Sequence, residues 1–417
     1  MPPRTGAIPE RLHVAYVHYL FGADSALRHV EQFAAAARRL GHQIDIHAMN
    51  PAPSHSNGHD RAKLAGALKR RLRRYLHEPK ELLLNGRYVP KETQRLTAPR
   101  PDVLLVRNHG FIASWVVAAR RLGIPVALEM NAPVEEASLY LDEYAHLPWL
   151  PVQLEKLKVR RAHSITVVSS ALKQHVVERY GAAPDKIVVV PNGADLELFR
   201  SDRPPDPAIA DGRPGVVIGF IGSFRKWHGT ALLTQMIRSV SAARPSARFL
   251  LVGDGPEATE ARSQVAELGD RVMWMGHVSH DRIPSLVASL DIGVMPESNF
   301  YGSPLKVIEW MAAARAIVAP DYAPLRDVID HGTHGLLFPP GDVGALTASV
   351  IRLVDQPLLR ESLGRGAAAR ARAELSWSDN ARHVLTACHA ARERFRRAAG
   401  DDAGAEPAVR RQLAERR

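Results

Sequence analysis

GVVIGFIGSFRKWHG, residues 215–229, is an apolar run that stops at Gly222 and turns through a short basic loop into a helical stretch. An apolar run without polar alternation, closed by glycine, reads as a strand buried on both faces. Five more runs of this kind follow at 247–255, 271–276, 291–296, 316–320 and 335–338, with amphipathic stretches between them. Strands in this rhythm need crossover helices, and crossover helices give a parallel sheet. The same series stands earlier in the chain, at 12–18, 44–48, 102–106, 125–129, 164–169 and 187–190. Between its first two runs Leu27, Val30, Phe33, Ala34, Ala37 and Leu40 recur at helical spacing. The interval 201–215, SDRPPDPAIADGRPG, carries four prolines and five charged residues and reads as a linker. The expected fold class is α/β, with two doubly wound domains at 1–200 and 201–375. A helix at 376–397 and a polar tail at 398–417 follow.

A chain of 417 residues suits two cores. Its 46% apolar and 24% charged residues are those of a folded chain, which excludes collagen-like and disordered classes. Cys388, the single cysteine, has no partner for a disulfide or a thiolate metal site, and a reducing, cytoplasmic setting fits it. No stretch reaches the roughly 18 consecutive apolar residues of a membrane span. His13 and His18 interrupt the N-terminal apolar segment, so an export signal is not expected either. The net charge of +11 suggests a polyanionic partner: phospholipid, nucleotide or nucleic acid. Segment 61–77, RAKLAGALKRRLRRYLH, has seven Lys/Arg and no Asp/Glu, with Leu64, Ala67, Leu68, Leu72 and Leu76 at helical spacing. We expect a basic amphipathic helix that rests on an anionic membrane surface; a solvated face or a nucleic-acid patch is the alternative.

The segment richest in chemistry is PESNFYGSPLKVIEWMAA, residues 296–313. Ser303 followed by Pro304 reads as N-cap and first residue of a helix, whose free amides and positive dipole end receive phosphate. Lys306 in the first turn opposes that dipole, so an anion is expected beside it, with Glu309 three residues on. A Lys–Glu surface pair, worth about 0.3–0.5 kcal/mol, is the alternative. Arg225, Lys226 and His228 in the 220–229 loop make a second anion clamp at a strand's carboxyl end. The glycine turns at 250–257 and 19–26, and His109 in the RNHG segment 107–110, are weaker candidates. No Asp-x-Asp pair, Walker loop or Gly-x-Gly-x-x-Gly occurs, so neither a metal nor a nicotinamide cofactor is expected. Nor is a nucleic-acid partner, because no aromatic-interleaved basic surface is visible.

Together these segments resemble the retaining glycosyltransferases of family four, also called glycosyl transferases group 1, which have the GT-B fold. The resemblance rests on VVSSALKQHVVERYGAAPDKIVVVPNGADLELF (167–199), GFIGSFRKWHG, FLLVGDGPE, MGHVSHDRIPSLVASLDIGVMPE (275–297), SPLKVIEWMAA and GLLFPPGDVGAL (335–346), in family order over about 230 residues. It implies two Rossmann-like domains facing a central cleft, the first for the acceptor and the second for the donor, with the C-terminal helix around Trp377 returning to the first. It implies a hexosyl-type transferase that uses a nucleoside diphosphate sugar as co-substrate, needs no further cofactor, and acts on a glycan, lipid-linked or small-molecule acceptor; segment 61–77 would dock the first domain on the cytoplasmic face of a membrane, where a lipid-linked acceptor would be.

Residue by residue, Glu309 resembles the second carboxylate of the family's glutamate pair and would hold the donor ribose. The first falls on Tyr301, a departure, and backbone around Gly302, Ser303, Pro304, Leu305 and Lys306 would bind the diphosphate instead. The family's arginine and lysine ligands align with Ser223 and His228, a second departure, so Arg225 and Lys226 would supply that charge. His277 and Val278 match the base-reading loop, and Gly22 the glycine turn near the phosphate. His109 is similar to the histidine near the transferred sugar, while Glu129, Asn131 and Glu136 lie in a segment that would face the acceptor. The departures leave one alternative of another class, a non-catalytic nucleotide-sugar-binding subunit. An epimerase of the same fold is a third reading, which the order of the blocks disfavours.

Overall fold

The computed structural model describes residues 10–20, 25–50, 66–136 and 149–414. The chain divides into two compact units. One gathers the residues up to Val167, Lys173–Val190 and those from Ala381 on; the other is Val168–Leu172 with Pro191–Asn380.

All twelve apolar runs form strands. In the first unit β1 (His13–His18), β2 (Gln43–Ala48), β3 (Val103–Arg107), β4 (Val126–Met130), β5 (Ser164–Val167) and β6 (Ile187–Val189) make one parallel sheet in the order β2-β1-β3-β4-β5-β6. Every residue of β3 and β4 is buried, as a sheet covered on both faces requires. The helix Ser25–Arg39 buries Val30, Phe33, Ala34 and Ala37, and Leu40 falls just past its end.

The second unit repeats the plan with β7 (Val217–Ile221), β8 (Arg248–Val252), β9 (Val272–Gly276), β10 (Ile292–Val294), β11 (Ala316–Pro320) and β12 (Leu336–Phe338). Their order, β12-β11-β10-β7-β8-β9, is the doubly wound one, with neighbouring strands parallel throughout. Separate apolar clusters fill its two faces, one around Trp310, Leu250 and Ile317 and one around Phe220, Phe249 and Leu346. Gly293 makes the first cluster possible, since a Cβ there would stand 2.6 Å from the Trp310 indole.

Three boundaries differ from the sequence reading. The changeover between units falls at Pro191 rather than at 201, because Asn192 bonds to Ser303 and Ala194 bridges to Ser376, both within the second unit. The proline-rich interval is docked rather than loose: Asp206 is buried and takes two bonds from Arg282, at 2.7 and 2.9 Å, and Ile209 enters the core. The last helix is continuous from Trp377 to Ala414, past the 397 expected. From Ala381 it belongs to the first unit, where Ser164 Oγ donates to Ala387 O and Arg394 donates to Asp185 O. Of the basic segment, 66–77 are helical within Gly66–Thr97, and 61–65 lie outside the described residues.

Trp310→Ala opens a large void beside Gly293 and should destabilise the second unit by about 3–5 kcal/mol, read as a lower denaturation midpoint in urea.

Candidate functional site

In a doubly wound sheet the ligand crevice lies outside the carboxyl ends of the two strands where the crossovers part. In the second unit those strands are β7 and β10. The loops that leave them, 222–229 and 295–304, are the two segments richest in candidate residues.

The β7 loop passes Ser223, buries Phe224, and makes one 3-10 turn over Lys226–His228 before the helix Thr230–Ala243. Gly229 links turn and helix at φ +64°, a left-handed conformation that glycine adopts without strain. Arg225 and Lys226 are exposed, and the Arg225 guanidinium lies over the Trp227 ring at 5.2 Å. His228 turns inward. Its Nδ1 stands 2.6 Å from Ser223 O, a carbonyl that can only accept, so Nδ1 carries the proton and Nε2 is a lone pair. Burial first, and then the Lys306 charge, push its pKa down to about 3, so the ring is neutral at physiological pH.

Lys306 reaches this loop from the helix Leu305–Ala312. Its ammonium lies 4.7 Å over the Phe220 ring and 3.4 Å from His228 Nε2, which it can donate to. A Cβ on Gly222 would come within 2.5 Å of Lys306 Nζ, so the glycine makes room for the cation. Burial lowers Lys306 to about 8, against the Glu309 carboxylate, which raises it. Lys306 thus meets an aromatic face and a neutral imidazole, with the Glu309 carboxylate on the same helix favouring its charged form.

The helix opens one residue later than expected. Pro304 is the N-cap, without a side-chain capping bond, and Leu305 is the first helical residue. Ser303 is therefore not the cap. Its hydroxyl accepts from Asn192 N and its carbonyl accepts from Asn192 Nδ2, which fastens the approach to the helix. Val307 and Ile308 both bond back to Pro304 O, so the amides of Leu305 and Lys306 precede the helical ladder. Tyr301, in the place of a carboxylate, is 2% exposed, and its carbonyl accepts from Ser169 Oγ. Gly302 N donates to Asn299 Oδ1 at 2.6 Å. Glu309 is half-buried on the same short helix as Lys306, while His277 and Val278 follow β9 at the same edge of the sheet, His277 exposed.

In the first unit the crossovers part between β1 and β3. Gly22 lies outside the described residues. His109 follows β3, half-buried, with the Tyr19 ring edge-on at 6.2 Å. Glu129 is 4% exposed: its Oε1 accepts from Arg107 at 2.5 Å and Asn131 Nδ2 at 2.6 Å, with His29 at 3.1 Å, and its Oε2 accepts from Tyr16 OH. Buried, it is still held well below the usual carboxylate range by the His29 and Arg107 charges, which outweigh its desolvation. That placement does not fit an acceptor-facing role. Asn131 spends its amide on the same carboxylate, and Glu136 stands half-buried in the following turn.

Residues 26–198 match the family described as Glycosyltransferase Family 4, and residues 215–356 match Glycosyl transferases group 1. The chain belongs to these glycosyltransferases. Two curated Streptomyces proteins are similar to this family member. One is the 2-deoxystreptamine glucosyltransferase of Streptomyces kanamyceticus, 30% identical over 58% of this chain and 64% of that protein. The other is the 2-deoxystreptamine N-acetyl-D-glucosaminyltransferase of Streptomyces fradiae, 29% identical over 60% and 61%. The chain thus spans about three fifths of the length of these relatives. Among solved structures, HepE of Anabaena in complex with UDP shares the fold at a TM-score of 0.65 and 16% identity, over 90% of this chain and 98% of that one. Sucrose-phosphate synthase of Thermosynechococcus elongatus does so at 0.67 and 18%, over 89% and 96%.

Reading the sequence of this family member for sites passed over Asn192, Arg107 and Lys158. Asn192 sits in the PNGA stretch after β6, a visible signal; a lysine and an arginine that turn into the fold leave none.

Glu129→Gln leaves Arg107 and His29 without their carboxylate and should cost the first unit about 3–5 kcal/mol in chemical denaturation. The charge contributes stability above the carboxyl's unfolded value, and that contribution fades as pH falls toward the depressed folded one, so wild type and variant should converge in acid.

Proposed function

We propose that the protein is a retaining, metal-independent glycosyltransferase that moves a sugar from a nucleoside diphosphate donor to a glycan, lipid-linked or small-molecule hydroxyl. The observation that carries this reading is Lys306, its ammonium at the β7/β10 switch point beside the start of its own helix. Diphosphate charge is met there by Lys306 and by the amides of Leu305 and Lys306, with Arg225 and Lys226 from the exposed loop. Glu309 takes the ribose hydroxyls, and backbone at His277 and Val278 reads the base. The name of HepE's complex makes a uridine diphosphate sugar the first donor to test.

Transfer with retention needs no protein nucleophile in this scheme. The bond from the anomeric carbon to the diphosphate oxygen breaks as the acceptor oxygen bonds to that carbon on the same face. The acceptor's proton passes to the departing phosphate oxygen. Protein groups stabilise the charge that grows on the leaving diphosphate. In the first unit His109 lies beside the transferred sugar and Glu136 faces the acceptor. A binding subunit without turnover would keep donor affinity and release no nucleoside diphosphate, so a donor-consumption assay separates the two; Glu309→Ala should abolish both.

Lys306→Met should weaken UDP-sugar binding about 10- to 100-fold at pH 7, the loss of one hydrogen-bonded charge. In the free protein Lys306 is charged below about 8. A bound anion raises that value, so binding takes up a proton above pH 8 and affinity declines as pH rises further. Calorimetry should give that slope in wild type and a flat profile in Lys306→Met.

No described helix is long and apolar enough to cross a membrane. We further propose a cytoplasmic protein whose 61–77 segment lies on an anionic leaflet, supported by its seven cations. It should co-sediment with phosphatidylglycerol vesicles, and neutralising the seven should release it; unchanged sedimentation would refute the membrane role.

A further inference from the structure

We propose that Lys158, with Glu155 and Asn108, is a positioning residue that fixes the 108–110 loop and through it the His109 imidazole. This rests on the reading that places His109 beside the transferred sugar.

Lys158 and Glu155 lie on the helix Trp149–Arg161 and are both 0% exposed. Lys and Glu are almost never fully buried without a partner, and an apolar pair of similar volume would serve packing at least as well. Packing therefore leaves this pair unexplained. Its bonds supply the reason. The Lys158 ammonium donates to Asn108 Oδ1 at 2.9 Å, His109 O at 2.8 Å and Gly110 O at 2.9 Å, acceptors on three consecutive residues. It also meets Glu155 Oε1 at 2.6 Å. Asn108 closes the circuit, with Nδ2 3.1 Å from each Glu155 oxygen and its backbone N bonded to Glu129 O at 2.8 Å.

Four acceptors around one nitrogen suit an ammonium with three hydrogens, and a neutral amine has only two to give. Burial pushes Lys158 down and Glu155 up, while their contact pulls each back toward its charged form. The ion pair is the state that satisfies this loop. The loop itself leaves the carboxyl end of β3 at the first unit's switch point, and it carries only one imidazole. A short loop at a sheet edge, left to itself, moves; here the Asn108 side chain and the His109 and Gly110 carbonyls are tied to one buried charge.

The test uses the full chain and two variants, Asn108→Ala and the charge-free double variant Glu155→Gln/Lys158→Met. Histidine-selective NMR on the 19 histidines, with the His109 signal identified by its loss in His109→Ala, reads the loop without any ligand. The expected result is a shifted or broadened His109 resonance in both variants, with the other histidines in place. With UDP-glucose as probe, donor affinity should be unchanged while turnover falls about 10- to 100-fold, the scale of a displaced catalytic group. The same substitutions in a His109→Ala background should then cost less than about two-fold, because the residue acted through is gone. An unmoved His109 signal, or an equal loss in both backgrounds, overturns the proposal. If the double variant does not fold, Asn108→Ala alone decides by the same readings. Full turnover in His109→Ala instead removes the reading of His109 and this proposal with it, a result distinct from the others.

Discussion

Among the described residues no carboxylate stands in contact with the Lys306 ammonium, and the surroundings of this cation organise the loops at the carboxyl ends of β7 and β10. Lys306 rests against the Phe220 ring and the lone pair of a neutral His228. Both partners steer the cation without discharging it, whereas a carboxylate within 3 Å would have left an ion pair for any ligand to break. Neutral His228 is what makes this arrangement stable: a protonated imidazole at 3.4 Å would repel Lys306, and burial prevents it. Gly222 and the aromatic floor are then consequences, space and orientation for one charge.

The first unit solves the opposite problem. Its buried charges are answered internally, Glu129 by Arg107 and His29, and Lys158 by Glu155 and three loop oxygens. Groups satisfied in this way hold geometry rather than bind ligand. The two Rossmann-like units share a sheet plan and differ in how charge is met: the first answers its buried charges with internal partners, whereas Lys306 in the second meets an aromatic ring and a neutral imidazole.

Much of the fold was legible because parallel sheets covered on both faces demand uninterrupted apolar runs, and all twelve runs stood out between amphipathic stretches. The second unit's loops were legible for a related reason, since crevice residues must follow the strands where the crossovers part. Details set by single contacts were not. Ser303 looked like a cap and is spent on Asn192, because tertiary bonds outrank local capping preference. The interval at 201–215 looked like a linker because proline and charge are loop signals, and nothing in its composition tells that Asp206 finds Arg282. Glu129 looked available because sequence gives residue type and strand end but not which way a carboxylate turns. Lys158 went unnoticed because a lysine in a helix reads as surface by default.

The departures at Ser223 and His228 have a spatial answer that alignment by position hides. A diphosphate needs positive charge at a point in the crevice, and the point can be reached from more than one place in the chain. Lys306 Nζ lies 3.4 Å from His228 Nε2, the place where a cation carried at 228 would otherwise project. A lysine at 228 would bring a second ammonium close to Lys306, whereas the neutral His228 ring can accept from it. A neutral ring accepts where an ammonium donates. The cation at this point of the sheet's edge is carried by the helix Leu305–Ala312 rather than by residue 228.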